Sequence, residues 1–129
     1  MKKYQILSLL INITLLVNLL MTPNNKIILN DKELEFKHKI IEAVECRGNL
    51  IIVFDTDEDG GYDNVFCYTL EKQLVWRIKP APIDIGGTAR TPYVGIDIKD
   101  DRCRAIDFFG RRFCVNIKNG EILSKDIVK

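Results

Sequence analysis

Histidines, metal-binding cysteine pairs and the short motifs of common enzymes are scarce or missing in this sequence. His38 is the single histidine, and none of the four cysteines forms a C-x-x-C pair, so the usual zinc sites are excluded. Gly86-Gly87-Thr88 lacks the lysine and spacing of a phosphate-binding loop, and no nucleophile elbow occurs. The sequence therefore predicts a protein that is not an enzyme. The enzymatic alternative is a hydrolase with an unrecognised pair of carboxylates, because acids adjacent in a fold need no sequence signature.

A large excess of charge of either sign is also absent. Lys and Arg total 19 against 18 for Asp and Glu, which gives a formal net charge of +1. Nucleic-acid binders need a strong basic excess to neutralise phosphates, so we expect no nucleic-acid partner. The 129 residues fit one domain, and 47% hydrophobic with 29% charged residues is an ordinary globular balance.

The longest hydrophobic run lies at the N-terminus and is interrupted by polar residues. Lys2 and Lys3 precede an uncharged run that extends from residue 6 to Met21 and contains Asn12 and Asn18. A basic start followed by an apolar run is typical of a signal or anchor, but no A-x-A-like cleavage site follows. We predict a short hydrophobic N-terminal helix within residues 1–23, with residues 4–21 as the membrane contact, and one β domain over residues 24–129.

Two alternatives for location follow from this segment. If residues 1–21 are genuine, the protein is membrane-anchored or exported, and the four cysteines at positions 46, 67, 103 and 114 are able to form two disulfides. If translation starts at Met21, the protein is cytoplasmic. The cysteines are then small hydrophobic residues within strands, which is the interpretation we favour.

From residue 26 onward, short apolar segments alternate with turn residues. Residues 34–40 alternate apolar and charged side chains, and residues 49–55 form a continuous apolar run typical of a central strand buried on both faces. Asn119-Gly120 is the strongest hairpin signal. We predict an all-β fold, an antiparallel meander of about eight or nine strands that forms an open sandwich or barrel. Residues 80–92 form the longest irregular segment, and such loops are often functional.

Two resemblances support this fold. The segment Asn64–Tyr68 followed by Leu74–Ile78 resembles one blade of a quinoprotein-type β-propeller, and the pattern recurs weakly between Arg104 and Ile122. This implies two propeller-blade-like units, which are too few for a closed propeller. Residues 26–129 also resemble a family of small uncharacterised bacterial β proteins. That resemblance implies a fold and no activity.

An acidic loop provides the one cofactor hypothesis. Residues 55–63 fit the pattern D-x-D-x-D-G-x-x-D, in which a sharply turning chain directs hard oxygen ligands at calcium. The predicted calcium ligands are Asp55, Asp57, Asp59, Gly61 and Asp63. Position 12 of the pattern is Phe66 rather than glutamate, and no helices are predicted on either side. The favoured interpretation is a solvated acidic hairpin loop that binds no cofactor.

Four arginines lie close together in one predicted hairpin near the C-terminus. They are Arg102, Arg104, Arg111 and Arg112. They are candidates for an anion-binding or partner surface. The favoured interpretation is that their alternating positions place them on different faces, where they protect a sheet edge.

Three aromatic residues are candidates to line a groove near the irregular loop. Trp76, Tyr93 and Tyr62 are the candidates, although aromatic strand residues more often pack in a core. With no catalytic motif, the sequence favours a non-enzymatic binding or interaction domain whose partner is another protein, for example an immunity-type protein that blocks a toxin. The alternatives are a calcium-stabilised, membrane-anchored extracytoplasmic β domain and the hydrolase named above.

Overall fold

The computed structural model describes residues 2–5, 18–21, 25–55, 61–87 and 89–127. The chain divides into two compact units, Met1–Ile40 and Ile41–Lys129. In the first unit, four strands form an antiparallel sheet in chain order. The strands are β1 (Lys2–Gln5), β2 (Asn18–Met21), β3 (Lys26–Leu29) and β4 (Lys32–Glu35).

The predicted N-terminal helix is not supported, because the described parts of that segment are strands. Strand β2 pairs with β3, and Leu19 lies opposite Leu29 in that register. An apolar run is compatible with a strand as well as a helix, and pairing with β3 gives the β2 backbone its hydrogen bonds. The part of the chain that the structure describes contains no helix with the length and hydrophobicity of a membrane span.

The second unit contains two four-stranded antiparallel sheets, each in chain order. We call the first the central sheet. Its strands are β5 (Ile40–Cys46), β6 (Asn49–Phe54), β7 (Val65–Thr69) and β8 (Leu74–Arg77). The second, the C-terminal sheet, contains β9 (Tyr93–Lys99), β10 (Arg102–Asp107), β11 (Arg111–Val115) and β12 (Ile122–Ile127). A single helical turn, α1 (Ile83–Gly86), lies in the connection between the two sheets.

The structure confirms a mostly β, antiparallel fold and corrects its details. From residue 24 onward the described chain has ten strands instead of eight or nine, and its sheets do not close into a barrel. The strand predicted over residues 34–40 ends at Glu35, and His38 lies in a bend. Strand β5 was missed because Ile40–Cys46 lacks a clean period of two: Ile40, Ala43 and Cys46 are its buried residues.

One hydrophobic core joins the two sheets of the second unit. Strand β6 supplies its centre: every residue from Leu50 to Phe54 is buried, as predicted for a strand covered on both faces. Trp76 on β8 is buried, and its indole N–H donates a hydrogen bond to the Ile117 carbonyl at 2.7 Å. Other core residues are Ile51, Val53, Val65, Cys67, Ile96, Cys103, Ala105, Phe113 and Val115.

The hairpin signal at Asn119-Gly120 is confirmed, since these residues lie in the connection between β11 and β12. Gly120 has a φ of 79°, and a Cβ there would lie 2.8 Å from the Trp76 ring. Only glycine combines this left-handed backbone with so close an approach to an indole. The conformation of this turn therefore depends on close packing of Gly120 against the Trp76 ring.

Candidate functional site

The irregular connection between β8 and β9 lines a pocket of about 280 Å³, which we call the loop pocket. Residues on this connection, among them Ile83 and Arg90, form part of its wall. The rest comes from Tyr62, Tyr93 and the β10–β11 hairpin. The long irregular segment that the sequence singled out therefore forms part of the wall of a pocket.

A buried ion pair holds this connection against the C-terminal sheet. Asp107 has a side chain that is only 1% exposed, and its carboxylate accepts hydrogen bonds from the backbone N–H and the Nε of Arg111, each at 2.8 Å. The same guanidinium donates to the carbonyls of Gly86 and Ala89, each at 2.8 Å. We call this arrangement the arginine clamp. It fixes a connection that has little regular secondary structure of its own.

The clamp is fixed in turn by close packing. The Arg111 guanidinium lies 5.3 Å from the Phe113 ring centroid and 5.4 Å from that of Phe109. Gly86 ends the helical turn, and a Cβ at this position would approach the Ala81 Cβ to 2.6 Å. Glycine is thus required for the connection to fold back tightly where Arg111 binds it.

Asn64 positions the start of β9 beside the pocket. Its buried side-chain amide donates to the carbonyls of Phe54 and Tyr93 at 2.7 and 2.8 Å, and its carbonyl accepts from the Tyr93 N–H at 2.8 Å. These bonds join the central and C-terminal sheets. Because buried polar groups need partners, this single side chain satisfies three backbone groups that no strand pairing reaches.

Tyr93 brings a buried phenol to the pocket wall. Its ring packs edge-on against Phe113, with centroids 6.0 Å apart. Burial raises the pKa of Tyr93 strongly, and the carboxylates of Asp63 and Asp107 raise it further. The hydroxyl therefore keeps its proton, and within the described chain it has no hydrogen-bond partner. It is a donor that a molecule in the pocket would satisfy.

A second ion pair, between Arg90 and Asp63, lies in the same pocket wall. The Arg90 guanidinium also lies 5.2 Å from the Tyr62 ring centroid, within the range of a cation–π contact. The two pairs together place two positive and two negative charges in the lining, so the pocket carries no net formal charge.

The acidic loop is only partly described. Asp57 and Asp59 lie outside the described residues, whereas Asp55, Gly61 and Asp63 lie within them. The carboxylate of Asp63 is engaged by Arg90. In the ranges that the structure covers, no group of three or more His, Cys, Asp or Glu side chains is arranged to hold a metal. Calcium binding by this loop stays a prediction.

Large apolar side chains are exposed around the loop pocket. Ile83 is 76% exposed, Phe109 is 60% exposed, and Tyr62 is also exposed. Phe108 is 71% exposed and packs against Phe109, with ring centroids 6.5 Å apart. We call these four residues the aromatic rim. Sequence reasoning missed this feature, although two consecutive phenylalanines before Gly110 at a hairpin tip were a usable signal.

Two of the three candidate groove aromatics lie at the pocket, and one of these, Tyr93, also belongs to the core. Tyr62 and Tyr93 line the loop pocket. Trp76 instead belongs to the core, where its indole N–H is bonded to a backbone carbonyl. A buried tryptophan needs such a partner, so Trp76 has a structural role.

The four predicted surface arginines are divided between two faces of the C-terminal sheet. Arg104 lies opposite Cys114, and Ile106 lies opposite Arg112, in the β10–β11 pair. The period of two therefore places Arg102, Arg104 and Arg112 on the outer face. Arg111 is two residues before buried Phe113 and therefore lies on the same face of the strand. It faces the core and forms the clamp.

The outer face contains a depression of about 430 Å³ with basic walls, which we call the basic depression. Cys114 and Ser124, short side chains on neighbouring strands, lie within it. Arg112 and Asp126 form a two-bond pair at 2.8 and 2.7 Å. This hydrogen bonding raises the pKa of Arg112 and lowers the pKa of Asp126.

The cysteines are free thiols. Cys46, Cys67 and Cys103 are buried, and Cys114 is partly exposed. Burial raises the pKa of Cys67 to about 11 and that of Cys103 to about 12. Thiols with such pKa values are neutral near pH 7 and are poor nucleophiles. The three buried thiols are therefore core residues, as the favoured interpretation of the sequence expected.

A comparison with curated proteins finds no match to this chain. A family described as "Domain of unknown function (DUF7957)" matches residues 17–127, which include the loop pocket, the aromatic rim and the basic depression. The chain therefore belongs to the DUF7957 family.

Proposed function

We propose that this protein is a non-enzymatic protein-binding module whose docking surface is the aromatic rim around the loop pocket. The observation that carries the proposal is the exposure of four large apolar side chains in and beside one pocket. Tyr62 and Ile83 line the pocket. Phe109 contacts the lining residue Arg111, and Phe108 packs against Phe109. Single exposed apolar residues are common on protein surfaces and need no explanation. A cluster of them beside a pocket is typical of an interaction site.

The composition and rigidity of this surface support the same conclusion. Aromatic residues and arginine are enriched in the energetically important parts of interfaces. Phe109 lies against the clamp arginine, and Tyr62 lies against Arg90, so both rings are held before any partner binds. Binding then costs less conformational entropy than it would for mobile side chains.

The pocket favours one kind of anchor from the partner. It is mainly lined by apolar and aromatic groups, and its two ion pairs are already satisfied. The Tyr93 hydroxyl is a free donor in the wall. We propose that an apolar side chain of the partner enters the pocket and that a partner carbonyl accepts the Tyr93 hydrogen bond. An immunity-type role, in which the partner is a toxin, is consistent with a small domain of this kind.

The two sheets of the second unit also bear on the propeller resemblance. Each is a four-stranded antiparallel meander in chain order, which is the size and order of one blade. We propose that they are blade-like units, in which the hairpin tip and the β8–β9 connection present the docking surface.

The proposal can be tested by comparing matched surface variants. Binding of the protein encoded by the adjacent gene is measured with four forms of the chain. These are the wild type, Phe109→Ser, Ile83→Ser and the control Leu74→Ser. Leu74 is a suitable control because it is 58% exposed and lies on edge strand β8, outside the loop-pocket lining. We expect each rim variant to weaken binding about tenfold or more, and the control to change it less than about twofold.

Equal binding by the rim variants and wild type would refute the docking surface. The immunity-type role has a separate test, because it requires a toxin gene immediately upstream. Absence of such a gene from several loci would refute that role. The variant comparison would then be repeated with a binding partner that both the wild type and the Leu74→Ser control capture.

A further inference from the structure

We propose that the basic depression is a second binding site, specific for a dianionic phosphate group. This site is on the outer face of the C-terminal sheet, and it does not depend on the proposed docking at the aromatic rim. Its lining contains five cationic side chains and two carboxylates. Asp97, which pairs with Arg104, adds a third carboxylate, so two positive charges remain in excess.

Three of the five cations, Lys99, Arg102 and Lys125, form no ion pair within the described residues, and two of them lie at one cross-strand position. Lys99 lies directly opposite Arg102 in the β9–β10 pair. Like charges in this position repel and destabilise a sheet. In the part of the chain that the structure describes, neither side chain forms an ion pair, and nearby Asp101 pairs with Arg47 instead. An anion between Lys99 and Arg102 would remove the repulsion.

Arg104 is the next residue of β10 on the same face as Arg102, and it independently indicates an anion. One of its terminal nitrogens bonds to Asp97. Its Nε is buried and has no acceptor among the described residues. A buried donor without a partner is costly, and such groups call for an explanation such as an absent ion. A phosphate in the depression would supply an acceptor for this group once the guanidinium turns toward it.

The shape of the depression fits a phosphate that is carried by a larger molecule as well as the free ion. Cys114 and Ser124 are too short to fill the space between the long basic side chains, which leaves about 430 Å³. Arginine binds phosphate through several parallel N–H donors, and the Ser124 hydroxyl adds a further donor. A dianion matches the excess of two positive charges, whereas a single carboxylate does not.

Phosphate binding to the full-length protein is measured by titration calorimetry with inorganic phosphate and with phenyl phosphate, at constant ionic strength set by chloride. The variants are Lys99→Gln and Arg102→Gln, and Lys32→Gln is the control with the same charge change on an exposed position of β4. We expect each site variant to weaken binding about tenfold and the control to leave it unchanged. Tighter binding of phenyl phosphate would identify an organic ester as the ligand, and equal binding would identify the free ion.

Thermal unfolding without phosphate gives a second readout. Because Arg102→Gln removes a like-charge contact, we expect its Tm in chloride to equal or exceed that of wild type, while the Tm rise with phosphate is lost. The inference is overturned if neither probe binds wild type. It is equally overturned if Lys99→Gln and Arg102→Gln bind phosphate as tightly as the Lys32→Gln control.

Discussion

Replacement of Arg111 by alanine is expected to destabilise the protein far more than the same change at its neighbour. The change removes the guanidinium from Asp107, whose side chain is 1% exposed, and from the carbonyls of Gly86 and Ala89. Removing one partner of a buried ion pair leaves an uncompensated charge and costs about 3–5 kcal/mol. We therefore expect the free energy of unfolding to fall by about 3–5 kcal/mol.

Arg112→Ala is the matched control for this prediction. Arg112 also forms a two-bond pair with an aspartate, but that partner, Asp126, is 59% exposed. Exposed ion pairs contribute about 0–1 kcal/mol, so the control is expected to lose no more than this. Both variants are measured by urea unfolding followed by tryptophan fluorescence, since Trp76 is buried in the core.

A double variant isolates the cause. Asp107→Asn combined with Arg111→Ala removes the buried charge together with its partner, and the asparagine still accepts the backbone N–H of residue 111. We expect the double variant to be more stable than Arg111→Ala by about 1–2 kcal/mol. A loss below about 1 kcal/mol for Arg111→Ala, or a loss equal to that of Arg112→Ala, would refute the clamp.

Three further predictions concern the buried groups. Asn64→Ala leaves three buried backbone groups without partners, so we expect the free energy of unfolding in urea to fall by about 3–5 kcal/mol. The control Asn119→Ala, in a turn, should lose less than about 1 kcal/mol. Equal losses would contradict this prediction. The pKa values of Cys67 and Cys103 are raised to about 11 and about 12, so the unfolded chain ionises first. The contribution of these two thiols to the free energy of unfolding is fully present below about pH 9. Above that pH it is lost at about 1.4 kcal/mol per pH unit for each thiol. Replacing both by alanine should make the alkaline fall in stability shallower without abolishing it, because Cys46 and Tyr93 also have raised pKa values, and an unchanged slope would contradict the prediction. Native-state alkylation with iodoacetamide, read by mass spectrometry, should modify partly exposed Cys114 first; simultaneous modification of Cys67 or Cys103 would contradict their burial.

Local patterns in the sequence predicted those parts of the fold that depend on neighbouring residues. The apolar run of β6 and the Asn119-Gly120 turn were correct because strand burial and turn chemistry follow from a few adjacent side chains. Strand β2 was predicted as helix, since an uncharged apolar run does not by itself distinguish a helix from a strand.

The loop pocket depends on contacts that local patterns do not encode. Arg111 meets Gly86, which is 25 residues away in the chain, and Asn64 meets Tyr93 across 29 residues. The sequence grouped Arg111 with Arg112 by proximity. Successive residues of a strand point to opposite faces, so Arg111 and Arg112 lie on different sides of the sheet. This assignment requires knowing that β11 begins at Arg111.

The most direct test of the docking surface is amide hydrogen exchange on the protein alone and in complex with its captured partner. We expect slower exchange in the complex at residues 83–87, 89–91 and 108–110, which carry Ile83, Arg90, Phe108 and Phe109. The exposed edge strand β8, Leu74–Arg77, should exchange at the same rate in both states. Protection confined to β8 or to the outer face of the C-terminal sheet, with no change at the aromatic rim, would rule out the rim as the docking surface.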